Sequence, residues 1–220
     1  MKPLFVADIV NQMVGDQRHP VQLATWNRSQ GRASICLPKK MTHFGFSLEG
    51  SLKIDTPSLE ATLKEGGFFR LASEVEIEGD FGFVLSVDGD QGLSQITNHN
   101  SSMKFVKYKA GGIENCLIWP SFIAQPTLNI LHMKRNVSQK NHHHTSPRIN
   151  IVIDGSAFCH LGKKTIELSK GSVVLVKTNE HHDFFTKDES MTFVAFHPDS
   201  EPAIFNNMPM ELQTYGSDMI

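Results

Sequence analysis

The chain has 220 residues, of which 40% are hydrophobic and 20% are charged, and its formal net charge is −2 at pH 7. A chain of this length can bury a substantial core, as one large domain or as two small ones. The nearly balanced charge gives no basic surface for nucleic acid or for an anionic membrane. The composition therefore predicts that the partners are small molecules or other protein subunits.

The start of the chain and its cysteines bear on the cellular compartment. The N-terminal apolar run is broken by Asp8 and again by Asp16 before it reaches the length of a signal peptide. No segment approaches the roughly 18 consecutive apolar residues that a membrane helix requires. Cys36, Cys116 and Cys159 are too scattered for a disulfide framework. We therefore expect a soluble, cytoplasmic protein with free thiols.

The predicted elements are almost all strands. In chain order, Val6 to Val14 first predicts a short helical turn that caps the N-terminus. Beyond it, runs rich in Val, Ile, Phe and Thr are separated by turns about every 8 to 12 residues, which is typical of an all-β sandwich or barrel. The predicted strands are Gly45–Glu49, Phe81–Val87, Thr127–Met133, Ile149–Ile153, Ser172–Val176 and Met191–Phe196.

An internal repeat indicates two similar β domains. The segment from Gly50 to Gly66 opens with Gly-Ser and closes with Leu-x-x-Gly, and the segment from Gly155 to Gly171 has the same ends and the same length. An apolar strand follows each copy, and the copies lie 105 residues apart. Residues 90–102 between them are polar and rich in turn formers. We predict domains at residues 1–95 and 103–200, followed by a tail at 201–220.

Histidines in the second half of the chain are the strongest candidates for chemistry. Three consecutive histidines, His142, His143 and His144, are followed later by His181 and His182. On a strand, residues i and i+2 point to the same side, so His142 and His144 can both face inward while His143 points away. With a third imidazole from a neighbouring strand they would form a metal site with open positions.

These spacings resemble the motifs of the cupin superfamily, whose members are small β-barrels of jelly-roll type. The first cupin motif, roughly Gly-x5-His-x-His-x3,4-Glu-x6-Gly, matches His142 and His144, which lie 13 and 11 residues before Gly155. The second motif, roughly Gly-x5-Pro-x-Gly-x2-His-x3-Asn, places His182 rather than His181 at its histidine. The resemblance implies two tandem cupin barrels, with a metal held by His142, His144 and His182.

The chain departs from the first motif at one ligand position. Arg148 falls where the motif has the glutamate that usually supplies the fourth ligand. Subtraction of the repeat offset maps the three histidines onto Leu37, Lys39 and Ile77, and maps Arg148 onto His43. We therefore expect the first barrel to bind no metal, and we interpret His43 as a hydrogen-bonded or surface histidine.

Arg148 suggests what the second barrel binds. Three neutral imidazoles leave the charge of a divalent cation uncompensated, so an anionic substrate would bind readily, clamped by Arg148 in bidentate fashion. If Arg148 faces inward, so does Asn150. We name Cys159, His132 and His181 as further pocket candidates. The alternative is that Arg148 turns outward and forms a surface ion pair.

Three-histidine sites in cupins are similar to those of thiol dioxygenases and diketone-cleaving dioxygenases, which use Fe(II). The resemblance thus implies a dioxygenase-like enzyme for a small anionic organic molecule, with Fe(II) favoured over Zn, Ni or Mn. Metal-assisted isomerase or lyase chemistry is the nearest variant. The alternatives are a non-enzymatic small-molecule binding or sensor protein and a structural barrel that binds metal adventitiously. Cupin sheets commonly pair, so the resemblance is also compatible with a homodimer.

Overall fold

The structure is a computed structural model, which describes residues 4–89, 95–97, 106–107, 113–117, 127–198, 204–205 and 208–209. These residues form nineteen strands and two short 3-10 helices, Val6–Asp8 and Arg28–Gln30, so the predicted all-β fold is confirmed. None of the helices in this part of the chain is long and apolar enough to span a membrane. The strands are β1 (Leu4–Phe5), β2 (Asn11–Gly15), β3 (Pro20–Asn27), β4 (Ser34–Leu37), β5 (Met41–Thr56), β6 (Leu59–Lys64), β7 (Phe68–Leu71), β8 (Val75–Asp88), β9 (Gln95–Thr97), β10 (Val106–Lys107), β11 (Ile113–Leu117), β12 (Thr127–Met133), β13 (Arg148–Leu161), β14 (Lys164–Ser169), β15 (Ser172–Val176), β16 (His182–Phe185), β17 (Met191–His197), β18 (Ile204–Phe205) and β19 (Met208–Pro209).

The chain divides into two compact units. The N-terminal unit comprises residues 6–14 and 20–103, and the C-terminal unit comprises residues 1–5, 15–19 and 104–220. In the C-terminal unit, β1 pairs with β15 through Leu4 and Val173, and the Oγ1 of Thr178 donates a hydrogen bond of 2.6 Å to Asp16. No pattern in the sequence indicated that these early residues would join the second unit.

The N-terminal unit is built on an eight-stranded sheet in the order β2-β3-β8-β5-β7-β9, with β4 paired to β8 and β6 paired to β5. The long strands β5 and β8 carry the predicted segments Gly45–Glu49 and Phe81–Val87. Alternate side chains of the strands point into the barrel, and they are almost all apolar. This core contains Ala24, Trp26, Leu37, Leu52, Ile54, Leu63, Phe69, Leu71, Val75, Ile77 and Val84.

The C-terminal unit has a nine-stranded sheet centred on β13. The order is β1-β15-β13-β17-β12-β11-β10, and β14 and β16 also pair with β13. The first half of β13 pairs with β15 and β17, and its second half pairs with β14 and β16. The barrel core contains Met133, Val152, Ala157, Cys159, Ile166, Leu168, Val174, Val176, Phe184, Met191, Phe193 and Ala195.

The repeated segments are equivalent hairpins in the two units. Ile54 pairs with Ala61 in the first hairpin, and Cys159 pairs with Ile166, at the same offset of 105 residues, in the second. Gly155 has a φ of 74°, and a Cβ atom there would lie 2.0 Å from the backbone oxygen of Ser190. The backbone conformation and the close approach both require glycine at this position.

The predicted N-terminal helix is wrong beyond its first turn. Only Val6–Asp8 forms a 3-10 helix, and Asn11–Gly15 forms β2. The sheet order places β2 beside β3, at one edge of the N-terminal sheet. Pairing with β3 satisfies backbone groups of this short segment, and such tertiary pairing overrides a weak local helical preference.

In the N-terminal unit, apolar side chains occupy two positions that correspond to the metal site. Strand pairing places Leu37 opposite Val75, whereas His142 pairs with His182 in the C-terminal unit. The counterpart of His182 is therefore Val75, and the predicted counterpart Ile77 is displaced by two residues. Leu37 and Val75 are both buried and cannot bind a metal.

His43, the counterpart of Arg148, is completely buried in the N-terminal unit. Its Nδ1 lies 2.8 Å from the hydroxyl oxygen of Ser86, and its Nε2 lies 3.0 Å from the carbonyl oxygen of Pro38. Both ring nitrogens thus have partners, as expected for a structural histidine. Burial lowers the pKa of His43, which keeps the imidazole neutral.

His43 is expected to make stability depend on pH. Because burial lowers its pKa in the folded state, the unfolded state takes up the proton first as the pH falls. The contribution of neutral His43 to the free energy of unfolding is complete above about pH 6.5, the pKa of histidine in the unfolded state. Below that pH the contribution is lost, at up to about 1.4 kcal/mol per pH unit. Urea unfolding between pH 7 and pH 5 should show a shallower loss of stability for His43→Gln than for the wild type. Parallel curves for the two proteins would contradict this assignment.

Candidate metal centre

Three buried histidines come together at one end of the C-terminal barrel. His142 and His182 pair through two backbone hydrogen bonds, of 3.0 and 2.8 Å between nitrogen and oxygen. The carbonyl oxygen of His144 accepts a hydrogen bond of 2.7 Å from the backbone N–H of Asn179. His142, His144 and His182 are 6%, 6% and 2% exposed. One ring nitrogen from each lies within 4.8 Å of the other two, so the group could hold a metal ion.

The hydrogen bonds around these imidazoles suit metal binding. The Nδ1 of His142 donates to the carbonyl oxygen of Lys140 at 2.8 Å, and the Nδ1 of His182 donates to that of Glu180 at 3.1 Å. Such bonds fix the tautomer and leave Nε2 with a lone pair for a metal. Within the described residues, the buried Nδ1 of His144 has no hydrogen-bond partner. The donor set and this unsatisfied nitrogen both fit a bound metal ion.

The environment also keeps the imidazoles unprotonated. Burial is the main cause that lowers the pKa of His142 and of His144. For His144 the charge of Arg148 adds to the effect. Burial and the neighbouring His142 lower the pKa of His182 to about 3. A metal binds the neutral form of imidazole, so no proton has to be displaced at neutral pH.

Arg148 faces the interior of the barrel. Its side chain is 2% exposed, which excludes the alternative of a surface ion pair. One terminal nitrogen donates to the carbonyl oxygen of Pro147 at 3.0 Å and to the hydroxyl of Ser146. Its charge lowers the pKa of all three histidines of the site. The guanidinium is therefore a fixed positive charge close to the three imidazoles.

Two further polar side chains lie on the inner surface beside Arg148. Asn150 is 5% exposed, and its buried Nδ2 has no hydrogen-bond partner within the described residues. His197 ends β17, and its ring centroid lies 6.0 Å from that of His144. His197 was not among the predicted site residues. The sequence of β17 shows no alternation that could have found it, because Val194 and Phe196 on one face are as buried as Phe193 and Ala195 on the other.

Cys159 lies in the barrel core among apolar side chains. Its side chain is fully buried, and burial raises the pKa of its thiol to about 12. Ala157 and Cys159, two positions apart on β13, both belong to this core. The residue behaves as a small hydrophobic side chain, because a thiol with this pKa stays protonated.

The predictions that placed His132 and His181 in the pocket are wrong. On β12, Met133 belongs to the core and Leu131 packs against it, so His132 faces the other way and hydrogen-bonds Thr192. His181 is exposed, and its ring packs against that of the outward-facing His143, with centroids 4.7 Å apart. In both cases the neighbouring residue on the strand takes the inward position.

A hydrogen-bond network on the outer surface ties the histidine segment to β16. Asp183, which is 6% exposed, accepts a hydrogen bond of 2.9 Å from Asn141 and one of 2.8 Å from His160. Asn141 precedes His142, and Asp183 follows His182. The carboxylate therefore holds together the two segments that carry these ligand candidates.

Loss of this carboxylate is expected to weaken metal binding without removing a ligand. Because Asp183→Ala would release Asn141 and His160, we expect the metal affinity to fall about 10-fold. Stability should fall by only about 0.5–1.5 kcal/mol, because Asn141 is exposed and the side chain of His160 is 45% exposed, so both donors can turn to water. Titration with Co(II), monitored by visible absorption, measures the affinity. His132→Ala, whose ring bonds Thr192 outside this network, is the control, and equal affinities of the two variants would contradict the role of Asp183.

Sequence and structure comparisons identify the fold. The sequence family described as Cupin domain matches residues 129–197, which include all three histidines. The C-terminal unit is a cupin domain. A cupin 2 conserved barrel domain protein from Leptotrichia buccalis has a similar structure, with a TM-score of 0.64, 14% identity, and coverage of 88% of this chain and 90% of that one. The cupin superfamily predicted from the motifs is confirmed.

The similar structures extend over both units. A mutant of oxalate decarboxylase OxdC from Bacillus subtilis gives a TM-score of 0.63 at 10% identity, covering 100% of this chain and 84% of that one. A formate complex of oxalate decarboxylase from Lactobacillus farciminis gives 0.60 at 11% identity, covering 100% and 94%. A comparison with curated proteins finds no match. The chain thus has the fold of two tandem barrels, and at these identities the likeness concerns the fold alone.

Proposed function

We propose that the C-terminal cupin barrel binds a divalent transition metal through His142, His144 and His182 and acts on a small anionic organic molecule. One observation carries the proposal. Three buried, neutral imidazoles converge beside the guanidinium of Arg148, which is buried as well. Such an arrangement brings together a cation-binding group and a fixed positive charge.

The charge of the site favours an anionic substrate. Three imidazoles add no charge to that of a divalent metal, and Arg148 stands where the cupin motif has its glutamate. Among the described residues, the one buried acidic side chain is that of Asp183, and its carboxylate accepts hydrogen bonds from Asn141 and His160. A carboxylate-bearing or enolate-forming substrate would supply the missing negative charge.

The residues around the metal position have distinct roles in this proposal. Arg148 binds the substrate carboxylate, and its hydrogen bonds to Ser146 and Pro147 hold the guanidinium in one orientation. The Nδ2 of Asn150 is a buried donor for a substrate oxygen. Phe184 and Phe193, whose ring centroids are 4.9 Å apart, line the barrel with apolar surface that excludes water.

The reaction proposed first is dioxygenase-like oxidation with Fe(II). A metal at this position would supply Lewis acidity, a template for the substrate and, as Fe(II), redox chemistry. Support comes from the three-histidine donor set, which is similar to that of three-histidine cupin dioxygenases. Mn(II) is the second choice, because one of the similar structures is that of Bacillus subtilis oxalate decarboxylase, which has Mn(II) centres. Isomerase or lyase chemistry would use the same residues. A cytoplasmic location and a homodimer stay predictions.

A second candidate function is a non-enzymatic protein that binds or senses a small anion. The observation that favours it is the buried cation Arg148 close to the imidazoles, because its charge opposes metal binding. In this case the barrel would bind the anion without a metal. The Asn150 amide and the Arg148 guanidinium would then carry most of the affinity.

Reconstitution under anaerobic conditions tests the two functions against each other. The protein is loaded with Fe(II) or Mn(II), and oxygen uptake is measured with small carboxylates, thiols and diketones. The enzyme proposal expects uptake or substrate loss that requires metal and is lost in His142→Ala. Equally tight binding of an anion by metal-free and metal-loaded protein, with no turnover, would contradict it and support the binding protein.

A further inference from the structure

His197 lies on the inner face of the C-terminal barrel. Met191, Phe193 and Ala195 on β17 belong to the barrel core, and His197 continues this alternation. The side chain is half-buried. The three-histidine group that lies within 4.8 Å does not include it. His197 is therefore next to the candidate metal ligands without being one of them.

The strand pairing places His197 opposite Arg148. Ile149 pairs with Phe196, and the next position along the two antiparallel strands brings Arg148 and His197 together. The ring of His197 makes an edge contact with that of His144, at 6.0 Å between centroids and 63° between planes. His197 is thus next to Arg148 along the sheet and in contact with one of the metal ligand candidates.

In the N-terminal unit, two side chains at the equivalent pair of strand positions form a hydrogen bond. His43 and Ser86 pair on β5 and β8 as Arg148 and His197 do on β13 and β17. There the histidine and the serine form a hydrogen bond of 2.8 Å. Side chains at this pair of positions therefore point to the same side and reach one another inside a barrel.

No hydrogen bond comparable to that of His43 joins the ring of His197 to a described residue, and the contact it makes is with the ring of His144. Arg148 and Asn150 lie on the neighbouring strand β13, and the buried Nδ2 of Asn150 has no hydrogen-bond partner within the described residues. Together with a metal cation, Arg148 and Asn150 make this surface rich in hydrogen-bond donors. Its complement is a ligand rich in oxygen acceptors.

We propose that His197 is a specificity-determining residue that hydrogen-bonds a second oxygen of a substrate whose carboxylate is held by Arg148. This inference rests on the proposed function, and it narrows the substrate class to small carboxylates with a neighbouring hydroxyl or carbonyl oxygen. A neutral imidazole offers one donor and one acceptor, so it recognises either group. A simple carboxylate would contact Arg148 but leave His197 without a partner.

Ligand binding to Co(II)-loaded protein tests the role of His197. Co(II) affinity is measured first by visible absorption, and acetate and glycolate are then titrated separately into the loaded protein. The variants are His197→Phe and His197→Gln, and His132→Phe is the control on the outer surface. Because one hydrogen bond to the hydroxyl is lost, we expect His197→Phe to bind glycolate about 10-fold more weakly. Acetate and Co(II) affinities should change less than about 3-fold, and His197→Gln should retain part of the preference.

The results of these titrations distinguish a failure of the role of His197 from a failure of the proposed metal site. An equal loss of glycolate and acetate binding in His197→Phe would overturn the inference, because it would indicate a general disturbance of the site. A 10-fold loss of Co(II) affinity would also overturn it, since His197 would then be a metal ligand. Failure of the wild-type protein to bind Co(II) would refute the proposed function and the inference together, and it would be seen before any carboxylate is added.

Discussion

Replacement of His144 with alanine is expected to abolish metal binding while the protein remains folded. His144 supplies one of three converging nitrogens, and its Nδ1 is buried with no partner among the described residues. Removal of the ring therefore deletes a ligand and breaks no side-chain hydrogen bond to a described residue. The backbone bond from Asn179 to the carbonyl oxygen of residue 144 does not depend on the side chain. We expect metal affinity to fall by at least about 100-fold, more than for loss of an outer-shell partner.

The matched control for this experiment is His143→Ala. His143 is the adjacent residue, and its ring packs against the exposed His181. Co(II) titration and thermal unfolding of both variants measure affinity and folding together. We expect His143→Ala to bind Co(II) with wild-type affinity, and we expect the two variants to have similar melting temperatures. Equal affinities of His143→Ala and His144→Ala would contradict the assignment of inward and outward histidines.

Arg148→Glu is expected to raise the affinity of the site for a metal ion and to remove its affinity for anions. The substitution restores the carboxylate of the cupin motif and removes a buried cation that lowers the pKa of all three histidines. Attraction between a carboxylate and a divalent metal replaces repulsion at close range, so metal affinity should rise by at least about 10-fold. Binding of glycolate or acetate should be lost, because the group that pairs with the carboxylate is gone.

Arg148→Met separates the two effects of that change. Methionine removes the positive charge and supplies no carboxylate ligand, so it should lose anion binding with a smaller gain in metal affinity. Isothermal titration of Co(II) and of each anion gives the required affinities. Anion binding that persists in both variants would show that Arg148 does not hold the substrate, despite its burial in the barrel.

Local periodicity was enough to predict most of the candidate site. The alternation of side chains along a strand put His142 and His144 on one side and His143 on the other, and the motif spacing selected His182 over His181. The structure agrees, since His182 is 2% exposed and His181 is exposed. Such predictions of which histidines face inward depend only on the period of a strand and on the spacing between the glycines and histidines of the motif.

Predictions that required the register of distant strands were less successful. His132 was placed in the pocket because its strand was predicted without knowledge of which face met the core. The pairing of Met133 with Met191, both core residues, settles that face. His197 was missed for the same reason, since its proximity to Arg148 follows from the pairing of β13 with β17. A single sequence carries no signal for such pairings.

The conformation of the N-terminal segment was not predicted for a different reason. Residues 4 and 5 pair with β15, and Asp16 bonds Thr178, although the chain between them belongs to the N-terminal unit. The helical pattern at Val6 to Val14 was too short to fix its own conformation, because short helices gain most of their stability from packing. Long-range strand pairing therefore decided the structure of this segment.

The most direct test of the central claim is elemental analysis of protein purified without an affinity tag, compared with the His142→Ala/His144→Ala double variant. The proposed function predicts about one equivalent of a transition metal in the wild-type protein, as isolated or after anaerobic reconstitution, and none in the variant. It is the three buried histidines that would make this difference. Absence of metal from the reconstituted wild-type protein, or the same content in both proteins, would contradict a metal centre at His142, His144 and His182.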